Sequence, residues 1–165
     1  MAGVFSNEYK RKKLRKLGID FEVTDYNAVF TIEEMKQIRE IKIKEFCKNL
    51  FLRDDSGKRH FLVILREDKV ADLKMIRAQI ASSRLGFAYK DRLMKHLGLT
   101  KGSVTPFGLL NDNDLAVEVL IDADLQSRPR LGFHLNENTA TVWLSFDDLL
   151  GFLEFCDNQF VYVKL

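Results

Sequence analysis

The chain has 165 residues, 46% of them hydrophobic, which is enough for one domain with a sizeable core. Its formal net charge is only +2, and no apolar run approaches the ~20 residues needed to cross a bilayer. The first residues carry no apolar leader, and the two cysteines, Cys47 and Cys156, lie far apart with no Cys/His cluster around them. A membrane protein, a disulfide framework and a structural zinc site are therefore not expected, and free thiols suit a cytoplasmic location.

The small net charge hides an asymmetry. Residues 1–110 carry 23 Lys+Arg against 14 Asp+Glu, whereas residues 111–165 carry 3 against 10. Two readings stand: a basic surface that meets an anionic partner, or an interleaving of the two halves that cancels the field. The run Lys10-Arg11-Lys12-Lys13-Leu14-Arg15-Lys16, with Tyr9, Leu14 and Leu17 on a thin apolar side, predicts a short helix ending at Gly18. It reads either as a phosphate-binding arm over residues 1–17 or as a solvated helix face.

Phe21–Thr24 reads as a strand. Thr31-Ile32-Glu33-Glu34 is a capping box that opens a helix to about Glu40. Two strands follow, Phe46–Arg53 and His60–Arg66, joined by the turn residues Asp54-Asp55-Ser56-Gly57. The second is apolar on both faces, as a covered central strand must be. A helix from about Ala71 to Ser82 and a shorter one from Asp91 to Leu97, stopped by Gly98, come next. Residues 102–108 read as a loop. Strands at Ala116–Ile121, Leu131–His134 and Thr141–Leu144 precede a helix capped by Ser145, with Phe146, Leu149, Leu150 and Leu153 facing the core, and Phe160–Val163 closes the chain. About seven strands without strict alternation with helices predict an α+β domain over residues 18–165, a mixed, mostly antiparallel twisted sheet surrounded by helices.

Common chemistry is excluded by motif. There is no phosphate-cradling G-x-x-x-x-G-K-[ST], no G-x-G-x-x-G and no G-x-S-x-G nucleophile elbow. His60, His96 and His134 lack metal-ligand spacing, and no metal or cofactor is expected. One residue is odd: alternation puts Lys48 on the same face of its strand as Phe46, Leu50 and Leu52. It either reaches solvent at the strand end or points into a cleft that holds an anion.

Four segments, in order, carry a resemblance. Lys48-Asn49-Leu50-Phe51-Leu52-Arg53-Asp54 is similar to the strand signature of the YbaK/prolyl-tRNA-synthetase-associated editing family. Gly102-Ser103-Val104-Thr105-Pro106-Phe107-Gly108 resembles its G-x-x-x-P loop. His134 with Asn138-Thr139-Ala140-Thr141 resembles its H-P-x-x-N-T-A-T segment, and Phe146-Asp147-Asp148-Leu149 the helix that follows. The likeness covers roughly residues 18–164 and is greatest to the prolyl-tRNA-deacylase branch, known for removing Ala from tRNA(Pro). Leu135 in place of a proline, and Tyr26-Asn27 in place of a Glu-His-type pair, depart from the pattern and bear on amino-acid specificity.

The resemblance implies a YbaK-like fold and an enzyme that hydrolyses the ester of a mischarged aminoacyl-tRNA in trans, Ala-tRNA(Pro) above all. Its partners would be the CCA end of an aminoacylated tRNA and prolyl-tRNA synthetase. Water attack on the ester builds an oxyanion that needs preorganised donors. Gly102, assigned to catalysis, lets backbone approach closely, Pro106 fixes the loop exit, and Ser103, Val104, Thr105 and Pro106 are assigned to substrate binding, with backbone N–H groups here or nearby holding the substrate. Lys48 is assigned to the terminal phosphate or the ester, Asn49 to a substrate hydrogen bond although alternation turns it to the other face, and Asn138 to substrate binding. His134 is either a catalytic group or a structural histidine. Selectivity would be steric, a small pocket admitting Ala and excluding Pro. The alternatives are a deacylase for Cys- or Ser-charged tRNA and an inactive module that only binds tRNA or a synthetase.

Overall fold

The computed structural model describes residues 7–25, 34, 37, 45–135 and 140–165. The expected helix at 31–40 therefore lies outside the described residues except at Glu34 and Gln37, which are helical, and Tyr26, Asn27 and Asn138 lie outside it altogether.

Among the described residues, eight strands form two sheets. Strand β1 (Glu22–Asp25), β6 (Leu131–Leu135) and β7 (Ala140–Leu144) make an antiparallel sheet in the order β1-β7-β6. The larger sheet has the order β4-β2-β3-β5-β8, from β2 (Cys47–Arg53), β3 (His60–Arg66), β4 (Gly86–Phe87), β5 (Val117–Asp122) and β8 (Phe160–Val163). In it β2 is antiparallel to β3 and β4, while β5 is parallel to β3 and β8. The sheets meet at Phe46, which bridges Gly132 in parallel, and the Gly132 amide donates to the Glu45 carbonyl at 2.9 Å. The expectation of a mixed, mostly antiparallel α+β fold holds. What the strand signals could not show is that the strands divide between two sheets.

Alternation decides which core each strand serves. Leu62 and Ile64 of β3, with Val117, Val119 and Ile121 of β5, enter the main core against Leu131, Phe133, Val142, Leu149, Phe152 and Leu153. Phe61, Val63 and Leu65, with Leu52 and Leu120, enter a second core closed by Ile76. Burial of both faces of β3 explains its uninterrupted apolar run.

The β2–β3 turn is locked by one carboxylate. Asp54 accepts from the Lys58 amide at 2.9 Å, the Arg59 amide at 3.1 Å and the Ser56 hydroxyl at 2.8 Å, while Gly57 takes φ +70°. Helix α1 (Asn7–Lys16) buries Leu14 in the main core, so this basic segment is packed on the domain along one side. Helix α2 (Leu73–Gln79) starts on Asp72, whose side chain accepts from the Lys74 and Met75 amides. It is shorter than the expected 71–82 because Ala81 turns to φ +49°. Helix α3 (Lys90–Leu97) ends on left-handed Gly98, and α4 (Phe146–Cys156) is capped by Ser145, which accepts from the Asp148 amide at 3.0 Å.

Candidate active site

The loop at 102–108 is more ordered than its composition suggests. Gly102 sits at φ +89°, a conformation that side chains rarely adopt. Ser103 turns back on Thr100, its hydroxyl donating to the Thr100 carbonyl at 3.0 Å. Thr105 then caps a 3-10 helix, Pro106–Asn111, with Pro106 at its first position. Phe107 is fully buried and packs edge-on against Phe133 and Phe152, at 6.1 and 5.4 Å between ring centroids. The loop is thereby held to β6 and α4.

Strand β2 meets this loop through Asn49. The Asn49 Nδ2 donates to the Val104 carbonyl at 3.3 Å, and its Oδ1 is buried with no hydrogen-bond partner. A buried amide oxygen without a donor costs free energy unless a ligand supplies one. Beside it opens a cleft of about 110 Å3, lined by Asn49, Phe51, Leu93 and Val104, with Phe87, Tyr89, Lys90 and Lys101 at its aromatic and basic side. Along Lys48–Leu50 the edge of β2 away from β3 has no strand partner among the described residues, because β4 pairs only with Leu52 and Arg53.

Lys48 lies on the opposite face of β2 from Asn49. Its neighbours on that face, Leu50 and Leu52, pack into the second core, and Lys48 is half-buried with no carboxylate partner among the described residues. The structure thus brings Asn49 together with Val104 and the Gly102–Pro106 loop, and sets Lys48 at the same open strand edge but on its other face. His134 is on β6, where its backbone pairs with Thr141 and its neighbour Phe133 touches Phe107. Asn138 lies outside the described residues.

Sequence reasoning missed two groups. The first is the segment Phe87-Ala88-Tyr89-Lys90 on the cleft wall; its signal was a tyrosine standing where a helix start prefers Ser, Thr, Asp or Asn. The second is a pair of histidines packed on Phe51, His60 buried and His96 half-buried. His60 and His96 pack with ring centroids 4.2 Å apart, and both contact Phe51. The Arg92 Nη1 lies 3.0 Å from His60 Nε2 and donates to the Gly57 carbonyl at 2.9 Å. Burial, with the His96 and Arg92 charges beside it, lowers the His60 pKa to about 4, and burial also lowers that of His96. Both rings are therefore neutral near pH 7. Burial raises the Cys47 thiol strongly and the Cys156 thiol to about 12, so neither is an active nucleophile.

A narrow cleft at an open strand edge, beside a left-handed glycine loop and the half-engaged Asn49 amide, is the candidate site on this α+β fold. The family model for the aminoacyl-tRNA editing domain matches residues 27–152, and the chain belongs to that family. It is an aminoacyl-tRNA deacylase, which edits mischarged tRNA by hydrolysis. The chain is 43% identical over 153 residues to the prolyl-tRNA editing protein ProX of Acetoanaerobium sticklandii, covering 93% of each. It is 34% identical over 158 residues to the prolyl-tRNA synthetase associated domain-containing protein 1 of Mus musculus, again covering 93% of each. A crystal structure of a candidate trans-editing enzyme for prolyl tRNA synthetase superposes with a TM-score of 0.69 over 98% of this chain and 99% of that one, at 18% identity, which is a likeness of fold.

Proposed function

We propose that the protein removes alanine from mischarged Ala-tRNA(Pro) in trans, with the cleft beside Asn49 receiving the aminoacyl group. The observation that carries this reading is the buried, unpaired Asn49 Oδ1 at a cleft of about 110 Å3. That volume is well below the ~300–1,000 Å3 of common small-molecule sites, so it suits an aminoacyl group and not a whole nucleotide. The relative named as a prolyl-tRNA editing protein supports tRNA(Pro) as the carrier, and the relatives named for prolyl-tRNA synthetase association support that enzyme as a partner.

In this reading Asn49 has two tasks. Its Nδ2 holds the Val104 carbonyl and keeps the loop against β2. Its side chain, in the wall of the cleft, positions the bound aminoacyl ester. Loop amides other than that of Ser103, which donates to the Thr100 carbonyl, supply donors to the developing oxyanion; such donors are worth about 2.7–4 kcal/mol each in acyl transfer. Lys48 reaches past the open edge of β2 to the terminal phosphate, as a point charge with no competing carboxylate among the described residues. His134, on β6, and Asn138 keep the catalytic and substrate-binding parts that the family resemblance implies for them. The ester is already activated, and the adjacent ribose hydroxyl orients the attacking water, so no nucleophile–base pair is required. A cleft this narrow excludes the larger cognate proline by overlap, which spares Pro-tRNA(Pro).

The test is ester loss from Ala-, Cys-, Ser- and Pro-tRNA(Pro), with Asn49→Ala and Lys48→Ala alongside. Rapid loss of alanine with Pro-tRNA(Pro) spared, and slowing in both variants, is the expected result. Loss of cysteine or serine instead would reassign the pocket. Equal rates for wild type and both variants would refute the site.

A further inference from the structure

Two aromatic rings stand in solvent beside the cleft. Phe87 is 44% and Tyr89 59% exposed, and their rings lie nearly parallel, 30° apart with centroids separated by 6.1 Å. Exposing such rings forgoes the burial that would normally recommend them. Their backbone, however, is fixed. Gly86 and Phe87 pair with Arg53 and Leu52 of β2, and the Ala88 amide donates to the Phe51 carbonyl at 2.9 Å, with Ala88 itself buried between the two rings in sequence. Tyr89 occupies the cap position of α3 and makes no capping bond with its side chain, and the next residue, Lys90, takes φ +27°. A poor capping residue and a left-handed lysine in succession are local departures from what a helix start favours, of the kind that accompany a site.

Charge completes the arrangement. The Lys101 Nζ lies 5.6 Å from the centre of the Tyr89 ring, and Lys90 and Lys101 both line the cleft. An exposed, nearly parallel aromatic pair flanked by two ammonium groups matches single-stranded nucleic acid, whose bases stack on rings while its phosphates meet lysines. The cleft is too small for a nucleotide, so the nucleotide that carries the ester must rest on its rim, and these rings are that rim.

We infer that Tyr89 and Phe87 form a stacking platform for a base of the single-stranded 3′ end of the tRNA, with Lys101 and Lys90 taking its phosphate. This rests on the editing reading for the identity of the RNA, and it assigns a binding surface which that reading does not require. The platform positions the ester over the cleft and leaves the chemistry to the loop and Asn49. Because the contacts are to a ring face and a phosphate, the platform tolerates any base and adds affinity without choosing among tRNAs.

The experiment compares binding of uncharged tRNA(Pro) with the same tRNA lacking its three 3′ nucleotides, for wild type, Tyr89→Ala, Tyr89→Phe and Lys101→Ala. Both rings are exposed, so these variants should fold; their melting temperatures check this. Tyr89→Ala is expected to weaken binding of the intact tRNA by ~10-fold, the usual loss for one stacked base, and to leave the trimmed tRNA unaffected. Tyr89→Phe should bind like wild type, and Lys101→Ala should reduce the salt slope by about one. On a mischarged tRNA, Tyr89→Ala should raise KM more than it lowers kcat. Equal binding of intact tRNA by wild type and Tyr89→Ala, or an equal loss on intact and trimmed tRNA, would overturn the platform. If wild type hydrolyses no ester yet shows 3′-end-dependent binding through Tyr89, the platform stands and the editing reading falls. If it hydrolyses the ester and Tyr89→Ala does so with unchanged KM, the reverse holds.

Discussion

Asn49 differs from most polar residues of the sheet in having one amide atom engaged and the other buried without a partner. Removing the side chain frees the Val104 carbonyl, at a cost of about 0.5–1.5 kcal/mol for the lost bond, and deletes the unsatisfied oxygen, which offsets part of it. Asn49→Ala should therefore shift the thermal midpoint little while lowering deacylation at least about tenfold, and calorimetry beside an ester-hydrolysis assay measures both. His60 behaves in the opposite way, being a matter of stability. Its folded-state pKa of about 4 lies below its ordinary value of 6.5, so the unfolded chain takes up a proton first as pH falls. The stabilisation is complete above pH 6.5, declines between 6.5 and 4, and is gone below that. Urea titrations at pH 7 and pH 5 should show a loss that is smaller, by about 1–2 kcal/mol, in His60→Phe than in wild type.

Among the elements, the caps and the close contacts hold the site in place. Ser145 accepts from the Asp148 amide and donates to its carboxylate, so Ser145→Ala should cost about 1 kcal/mol, read as a shift of the urea midpoint. Gly108 of the 3-10 helix is tighter. A Cβ there would lie 2.6 Å from Leu99 Cδ1 and 3.0 Å from the Leu97 carbonyl oxygen, and backbone cannot swing aside. Gly108→Ala should destabilise by about 1–3 kcal/mol and, by shifting the helix that anchors the loop, also slow the enzyme. These elements were partly legible in the sequence. The turn at Asp54–Gly57, the apolar run of β3, Gly98 and Ser145 each announce themselves by local chemistry. The two residues of β4 and the 3-10 helix after Thr105 do not, because tertiary pairing with β2 creates the first and the burial of Phe107 the second.

For the whole molecule, the contrast between the basic first two-thirds and the acidic remainder is interleaved by the fold. Arg59 pairs with Glu118 and Lys69 with Asp122, and the Lys13 Nζ lies 5.4 Å from the centre of the Phe155 ring, whereas the Lys90–Lys101 stretch reaches the cleft. If the lysines at the cleft meet phosphates, affinity for uncharged tRNA should fall about tenfold between 50 and 200 mM salt, and filter binding across that range tests it. A flat response would remove electrostatics from recognition.

The fold class, the covered central strand and the two motif segments around Lys48–Asn49 and Gly102–Pro106 were readable from the residues alone, because alternation, turn chemistry and glycine placement are local. The division of the strands into two sheets and the meeting of Asn49 with Val104, fifty-five residues away, come from long-range pairing and packing. Tertiary packing likewise brings His60 and His96 into contact and leaves Phe87 and Tyr89 exposed beside two lysines. The physical reason is the same throughout. Periodicity tells which face of a strand a residue occupies, but what lies against that face is set by how the chain closes, and a binding site is made of what lies against it.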